Sequence, residues 1–166
     1  MRSLAVAVIV LGVSAARGDT PLPPPTKVTV TSPSGRIHAI SDPKADKTRV
    51  EDARSHKVLW SIPDWYRALF VADDGKHLVT EYDGLNLIPT DFTDDLVLFT
   101  FWREGRKLRE VRVRDFIPDH HLLEHTASHY YWGTVDSIDA QGRLKVERAD
   151  RKVFFFDVTT GRPTKT

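Results

Sequence analysis

The chain has 166 residues, of which 40% are hydrophobic and 28% charged, with 9 Gly, 10 Pro and no Cys. This length suits one compact domain, and the apolar fraction is enough for a buried core, which excludes a wholly disordered chain. Because Cys is absent, the protein has no disulfide scaffold, Cys-based zinc finger, iron–sulfur cluster or thiol nucleophile.

The first 18 residues have the pattern of an export signal. Arg2 gives a positive start, residues 4–11 are an apolar run, and small residues precede Asp19, as a signal peptidase requires. The apolar run is shorter than the roughly 20 residues that span a bilayer as a helix. We therefore expect a signal peptide over 1–18, a periplasmic or extracellular location, and no transmembrane segment in the mature chain.

Export changes the charge of the protein. The whole chain has 24 Lys and Arg against 23 Asp and Glu, and the expected signal removes two cations, Arg2 and Arg17. A nearly neutral mature protein has no long-range field that draws it to nucleic acid. Nucleic acid is therefore excluded as a partner, and the expected partner is an unidentified protein or small ligand.

Beyond the signal, residues 19–26 form a Pro-rich linker of stiff polyproline type, and residues 27–166 form one domain of short β-type runs separated by turn residues. The first four runs predict one antiparallel meander: 28–30, 36–40, 48–50 and 58–60. A second unit follows with runs 67–72, 76–80, 96–102 and 108–114. A third has runs 131–138, 144–146 and 153–158, and its last strand is not evident.

Glycines mark corresponding turns in the three units. Gly35 and Gly75 are 40 residues apart, which is within the length of a propeller blade, whereas Gly142 follows 67 residues after Gly75. The middle unit therefore carries extra sequence. We expect residues 81–95 to be a long acidic loop and residues 115–128 to contain a short helix, with Asp119 as its N-cap.

The expected helix carries a histidine pattern. His121-Leu-Leu-Glu-His125 matches the H-x-x-E-H signature of inverzincin hydrolases, in which two helical histidines bind zinc and the glutamate is the general base. His129 lies one turn further on, so three imidazoles would line one helix face. His121, His125 and His129 are thus the candidate metal ligands, although a solvated polar helix face explains the pattern more simply.

Several short segments resemble the repeats of propeller proteins. The segment Asp52-Ala-Arg-Ser-His-Lys-Val-Leu-Trp60 resembles the D-A-x-T-G-K-x-x-W repeat of quinoprotein-type (PQQ-like) propellers, with Ser55 and His56 in place of Thr and Gly. Asp157-Val-Thr-Thr-Gly-Arg162 repeats its core. The segments 32–36 and 71–76 are similar to the S-P-D-G-[RK] hairpins of WD40-like bacterial repeats. The resemblance implies that Asp and Gly shape turns and that Trp60 packs one blade on the next.

The predicted fold is therefore all-β: antiparallel four-stranded meander repeats like propeller blades, with one short inserted helix. Three units are fewer than the four to eight blades of a closed propeller. Three arrangements remain open: an open stack, a half-propeller completed by a second copy as a homodimer, and a β-sandwich.

No nucleophile elbow, Walker loop or dinucleotide fingerprint occurs, so we expect no catalytic residue and no cofactor. Trp65 and Tyr66, in a linker, are the aromatic pair most expected to be exposed for binding. Asp83 and Asp91, in the acidic loop, are the other candidate binding residues. The expected function is an exported, non-catalytic binding or accessory module. The alternative is a small metal-dependent hydrolase that uses His121, Glu124 and His125.

Overall fold

The computed structural model describes residues 21–164, so the expected signal peptide over 1–18 and the first two linker residues lie outside the described residues. Fifteen β-strands and one four-residue α-helix occur between residues 21 and 164. No helix in this range is long and apolar enough to cross a membrane.

Three four-stranded antiparallel sheets, here called blades, form the body of the protein. Blade 1 contains β1 (Val28–Thr31), β2 (Ile37–Asp42), β3 (Lys47–Asp52) and β4 (Val58–Pro63). Blade 2 contains β5 (Leu69–Val71), β6 (His77–Glu81), β8 (Val97–Arg103) and β9 (Arg106–Arg112). Blade 3 contains β12 (Gly133–Ile138), β13 (Arg143–Arg148), β14 (Val153–Asp157) and β15 (Arg162–Pro163). The predicted meander repeats are confirmed.

The third unit is complete, so the expectation that its last strand is missing is wrong. Arg162 pairs with Asp157 and Pro163 pairs with Phe156, which makes β15 the outer strand of blade 3. A strand of two residues that includes proline leaves no alternating pattern in the sequence. Proline is tolerated there because an edge strand does not need every backbone N–H for the ladder.

The first hairpin of each blade closes in the same way. The amides of Gly35, Gly75 and Gly142 each donate to the carbonyl three residues earlier, and all three glycines have positive φ angles, of 78°, 66° and 73°. A side chain is disfavoured in this left-handed conformation, which explains glycine at all three turns. The predicted repeat of glycine turns is therefore confirmed.

The last hairpins of blades 1 and 3 also correspond. The carbonyl of Asp52 accepts from the amide of His56, and that of Asp157 accepts from Gly161, at 2.9 and 2.7 Å. His56 has φ +57°, the left-handed conformation that Gly161 adopts at the same place. The indole Nε1 of Trp60 donates to the carbonyl of Gly75 at 2.7 Å, which ties blade 1 to blade 2 as the resemblance implies.

A fourth, three-stranded sheet is inserted between blades 2 and 3, and here the sequence-based expectations are partly wrong. It has strand order β10–β11–β7, with β7 at Leu87–Pro89, β10 at Glu124–His125 and β11 at His129–Tyr131. The expected loop over 81–95 therefore contains a strand. The expected helix over 115–128 is replaced by helix α1 (Val113–Phe116), a 3₁₀ turn at His120–Leu122, and β10. The prediction of one short helix before the third blade is confirmed. The predicted position of that helix, within 115–128, is wrong.

Two apolar clusters hold the blades together. Between blades 1 and 2 the core includes Ala39, Val50 and Leu78. Between blades 2 and 3 it is aromatic, with Phe99 packed against Phe156 at 5.2 Å between ring centroids and stacked on Trp132 at 6.3 Å. Burial of these side chains is the main force that keeps the sheets stacked.

The arrangement is an open stack of blades rather than a sandwich. The first strands of the blades, β1, β5 and β12, lie beside one another, as the inner strands of a propeller do. The outward face of blade 1 is mostly polar, with Arg49 between Ile40 and Ser61 in the register. Blade 3 presents the row Ser137, Lys145 and Phe155.

Candidate functional site

A cavity of about 320 Å³ lies between blades 1 and 2 and is here called the interblade cavity. Its wall on one side is the linker of residues 64–67 that joins β4 to β5. Three of the four predicted binding residues, Trp65, Tyr66 and Asp83, line it. The structure therefore brings together residues that are 18 positions apart in the sequence.

The floor of the cavity is a row of polar side chains on blade 2. Thr80 of β6, Thr100 of β8 and Glu110 of β9 are paired in register, so their side chains share one face of the sheet. Trp102 stands beside them, and its indole Nε1 donates to Oγ1 of Thr80 at 2.9 Å. A threonine row in the middle of a blade leaves space that larger apolar residues would fill.

On the side of the cavity formed by the linker 64–67, a cation is stacked on a tryptophan ring. The Arg67 guanidinium lies 4.9 Å from the centre of the Trp65 ring, and its Nε donates to the carboxylate of Asp83 at 3.2 Å. The same linker also holds the Pro-rich segment, because Trp65 Nε1 donates to the carbonyl of Thr26 and Arg67 to that of Pro23. The described part of the linker 19–26 therefore lies against the domain.

Tyr66 connects the linker to blade 2. Its amide donates to Oγ of Ser41 at 2.7 Å, and its ring meets the edge of Trp102 with 6.3 Å between centroids. Burial, together with the charge of Asp64, raises the pKa of the Tyr66 hydroxyl to about 12. Tyr66 is thus a half-buried, neutral side chain, less exposed than the sequence led us to expect.

A second stacked cation lies on the blade 2 side. The Lys107 ammonium is 5.8 Å from the centre of the Trp102 ring and is bound to the carboxylate of Glu110, which also accepts from Arg112 at 2.5 Å. The bond from Lys107, with that from Arg112, holds the pKa of Glu110 below its ordinary value. Glu110 is therefore fully satisfied by its own neighbours.

Glu81 differs from the other acids of the cavity. It is the last residue of β6, its amide donates to the carbonyl of Ala68, and only 8% of its surface is exposed. Its carboxyl has no hydrogen-bond or ion-pair partner among residues 21–164. Burial raises its pKa to about 7. Glu81 pairs with Phe99 in register, so its side chain leaves blade 2 on the face opposite to the threonine row.

The remaining predicted binding residue, Asp91, lies elsewhere. It is exposed after β7 and does not line the interblade cavity. The neighbouring acids of the same loop are neutralised by cations: Asp94 pairs with His120, and Asp95 pairs with Arg112 and Arg114. Asp94 and Asp95 are therefore held in separate ion pairs.

The candidate metal ligands do not line one helix face, because that helix is absent. His121 is in the 3₁₀ turn, His125 is in β10 and His129 begins β11. His121 and His125 line a separate cavity of about 520 Å³ beside the insert sheet, and His129 does not. Within residues 21–164 no group of three or more His, Cys, Asp or Glu has the arrangement needed to hold a metal ion.

Comparisons with known proteins concern the fold only. No protein-family model matches the chain, and no curated protein matches it. Similar solved structures include the WD40 repeats of RRP9 (TM-score 0.44, 13% identity) and U3-55K (0.44, 12%). A hydrazine synthase from Kuenenia stuttgartiensis matches with TM-score 0.36 and 15% identity. Each match covers 82% of this chain but only 35–37% of the other, so the chain spans little more than a third of their length.

The blade architecture itself is established by the sheet topology. Three successive four-stranded antiparallel meanders, each with a glycine turn after its first strand, make an open stack of propeller-type blades. The predicted resemblance to propeller-type repeats is confirmed at this level.

Proposed function

We propose that the protein is an exported, non-catalytic β-repeat binding module whose ligand enters the interblade cavity. The observation that carries this proposal is the lining of the cavity, where the aromatic residues Trp65, Tyr66 and Trp102 lie together with a row of polar side chains on blade 2. Export rests on the signal-like pattern of residues 1–18.

Small-molecule sites are concave and lined mainly by apolar and aromatic side chains, with a few polar groups that orient the ligand. The interblade cavity has both kinds of group, because the threonine row of its floor lies beside the ring of Trp102. Its volume of about 320 Å³ falls within the range of about 300–1,000 Å³ for such sites.

The hydrolase alternative has no support in the geometry of the described residues. It requires His121, Glu124 and His125 on consecutive turns of one helix, with both imidazoles aimed at the same metal. In the described structure these residues occupy a 3₁₀ turn and a strand, and Glu124 lines a different cavity from His121.

The tryptophans provide a test of the cavity as the binding site. Trp65 and Trp102 line the interblade cavity, whereas Trp132 is in the core and Trp60 is bound to Gly75. In a screen of small polar fragments against ¹⁵N-labelled protein, binders are expected to move the indole N–H signals of Trp65 and Trp102 while leaving the Trp132 signal in place. Binders that move only signals of the insert sheet would contradict the proposal, as would the absence of any binder.

A further inference from the structure

We infer that the ligand of the interblade cavity is a neutral sugar ring, whose hydroxyl groups bind the threonine row on blade 2. This inference rests on the proposed function and names the chemical class of the ligand. Three properties of the cavity carry it. The cations of the cavity are already paired, its unpartnered buried polar groups are hydroxyls, and part of its wall is aromatic.

The charged side chains of the cavity favour a ligand without net charge. The charged residues that line it are Asp64, Arg67, Glu81, Asp83, Lys107 and Glu110. Both cations are paired, Arg67 with Asp83 at 3.2 Å and Lys107 with Glu110. Asp64 is exposed to solvent, and the side chain of Glu81 leaves blade 2 on the opposite face. An anionic ligand would therefore compete with a carboxylate for either cation, and a cationic ligand would compete with Arg67 or Lys107.

The threonine row offers a buried hydroxyl that nothing in the described chain binds. Thr100 is 8% exposed, and its side chain has no hydrogen-bond partner among residues 21–164. Within the same range, Nε2 of His77 is the one side-chain nitrogen or oxygen that lacks a partner and is also sealed from solvent. The Thr100 hydroxyl is therefore not sealed, and it opens on the cavity that Thr100 lines.

Tyr66 supplies a second hydroxyl of this kind. Its hydroxyl has no hydrogen-bond partner among the described residues, and its raised pKa of about 12 keeps it protonated. A hydroxyl donates one hydrogen bond and accepts others. Both side chains are thus matched by ligand groups that donate and accept at the same atom, as the hydroxyls of a sugar do.

A carboxylate oxygen on the linker side adds an acceptor. Arg67 binds Oδ1 of Asp83, and Oδ2 has no partner within residues 21–164. Hydrogen bonds from a neutral donor to a carboxylate are stronger than those between two neutral groups. Because a sugar ring carries several O–H groups, it provides a donor for Asp83 as well as partners for Thr100.

The aromatic wall suits the remaining surface of a sugar. Trp65, Tyr66 and Trp102 line the cavity. The faces of a sugar ring consist of C–H groups, which pack favourably on the electron-rich faces of aromatic rings. A peptide amide also donates and accepts hydrogen bonds, but it has no such face. The wall and the floor together therefore favour a sugar over an amide.

The size of the cavity limits the ligand to one ring. Its volume of about 320 Å³ is at the lower end of the range for small-molecule sites, about 300–1,000 Å³. A free sugar and the terminal residue of a glycan chain present the same hydroxyls to Thr100. The experiment below separates these two sources.

The test compares matched small molecules with the mature chain. The neutral probes are methyl β-D-glucopyranoside, methyl β-D-galactopyranoside, methyl α-D-mannopyranoside and methyl N-acetyl-β-D-glucosaminide. The comparison probes are methyl β-D-glucuronide as the anion, methyl β-D-glucosaminide as the cation, cyclohexylmethanol as a ring with one hydroxyl, and N-acetylalanine N-methylamide as the amide. Binding is measured from the indole N–H signals of Trp65 and Trp102. We expect the tightest neutral sugar to bind at least about tenfold more tightly than each comparison probe, since each lacks some of its hydrogen bonds or adds an unpaired charge.

Threonine variants provide the matched comparison. Thr100→Val removes the hydroxyl at nearly constant shape and should weaken binding of the tightest sugar about three- to tenfold, the effect of one lost hydrogen bond. Thr100→Ser keeps a hydroxyl and should bind more tightly than Thr100→Val. Thr29→Val makes the same change at an exposed position of β1 and should leave binding unchanged. Equal binding to Thr100→Val and to the parent protein would overturn the inference.

The other outcomes separate the inference from the proposed function. If the charged, amide or single-hydroxyl probe binds best and moves both indole signals, the binding site stands but the sugar is overturned. If no probe or fragment moves these signals, both are overturned. A trisaccharide of the tightest sugar that binds better than its methyl glycoside supports a glycan chain as the source, and one that binds less well supports a free sugar.

Discussion

At pH 8 the Glu81→Gln variant should be more stable than the parent protein by up to about 3 kcal/mol, whereas at pH 4 the two should be equally stable. Burial raises the pKa of Glu81 from an unfolded value of 4.5 to about 7. Between these values the unfolded chain loses a proton that the folded chain retains. The free energy of unfolding therefore falls as pH rises from 4.5 to 7 and changes no further above it, and glutamine removes this loss.

Urea unfolding of both proteins at pH 4, 6 and 8 measures the effect. The matched control is Glu110→Gln, which should have the opposite sign at pH 8, because Glu110 is paired with Lys107 and Arg112 and its pKa is lowered. A Glu81→Gln variant that is less stable than the parent at pH 8 would show that the carboxylate has a stabilising partner in the folded protein, and the prediction would be wrong.

Phe99→Ala is expected to lower the free energy of unfolding by about 4 kcal/mol, since removing a fully buried phenylalanine usually costs about 3–5 kcal/mol. Phe99 is 1% exposed and contacts four other aromatic rings, those of Phe101, Phe116, Trp132 and Phe156. The cavity left by alanine would lie between blades 2 and 3, where no side chain can easily fill it. A loss of this size is a large part of the stability of a typical domain, about 5–15 kcal/mol.

Phe155→Ala is the control for this substitution. Phe155 lies on the outward face of blade 3, half-buried, with the Arg143 guanidinium 4.7 Å from its ring centre. Its removal should cost only about 1 kcal/mol. Urea unfolding followed by tryptophan fluorescence compares the two variants. Equal losses for Phe99 and Phe155 would mean that blades 2 and 3 are not stacked through the aromatic cluster.

The blades were predictable because their signals are local. Blade 1 consists of four short runs joined by turns of four or five residues, and hairpins of this kind are specified by turn chemistry and pattern. The run 96–102 was predicted as a strand of the second unit, and β8 occupies Val97–Arg103 and is buried from Leu98 to Trp102. The glycines at 35, 75 and 142 identified equivalent turns because only a left-handed conformation fits there.

The insert sheet was not predictable for the opposite reason. Its central strand pairs Tyr130 with Ile88, 42 residues away, and no local pattern encodes such a partner. Leu122 and Leu123 together with Thr126 give the spacing of a helix, but Leu122 and Leu123 pack into the core from a 3₁₀ turn and its end. Asp119 caps that turn, as expected, by accepting from the amide of His121. The N-cap could therefore be predicted from the sequence, but the 3₁₀ turn that follows it could not.

The candidate site was predictable in part. Trp65 and Tyr66 were identifiable as an aromatic pair in a linker, and Asp83 as an acid beside a strand end. The burial of Glu81 was not evident, because the sequence places it at the start of an acidic loop, whereas β6 continues through it. One more residue of strand changes a solvated acid into a buried one, and strand ends are the least certain feature of a sequence pattern.

A titration of the ¹⁵N-labelled protein with the tightest binder of the fragment screen, followed at the indole N–H signals, tests the central claim most directly. The account predicts that the signals of Trp65 and Trp102 move with one dissociation constant while that of Trp132 stays in place. Saturation that moves neither cavity tryptophan, or that moves Trp132 alone, would contradict it.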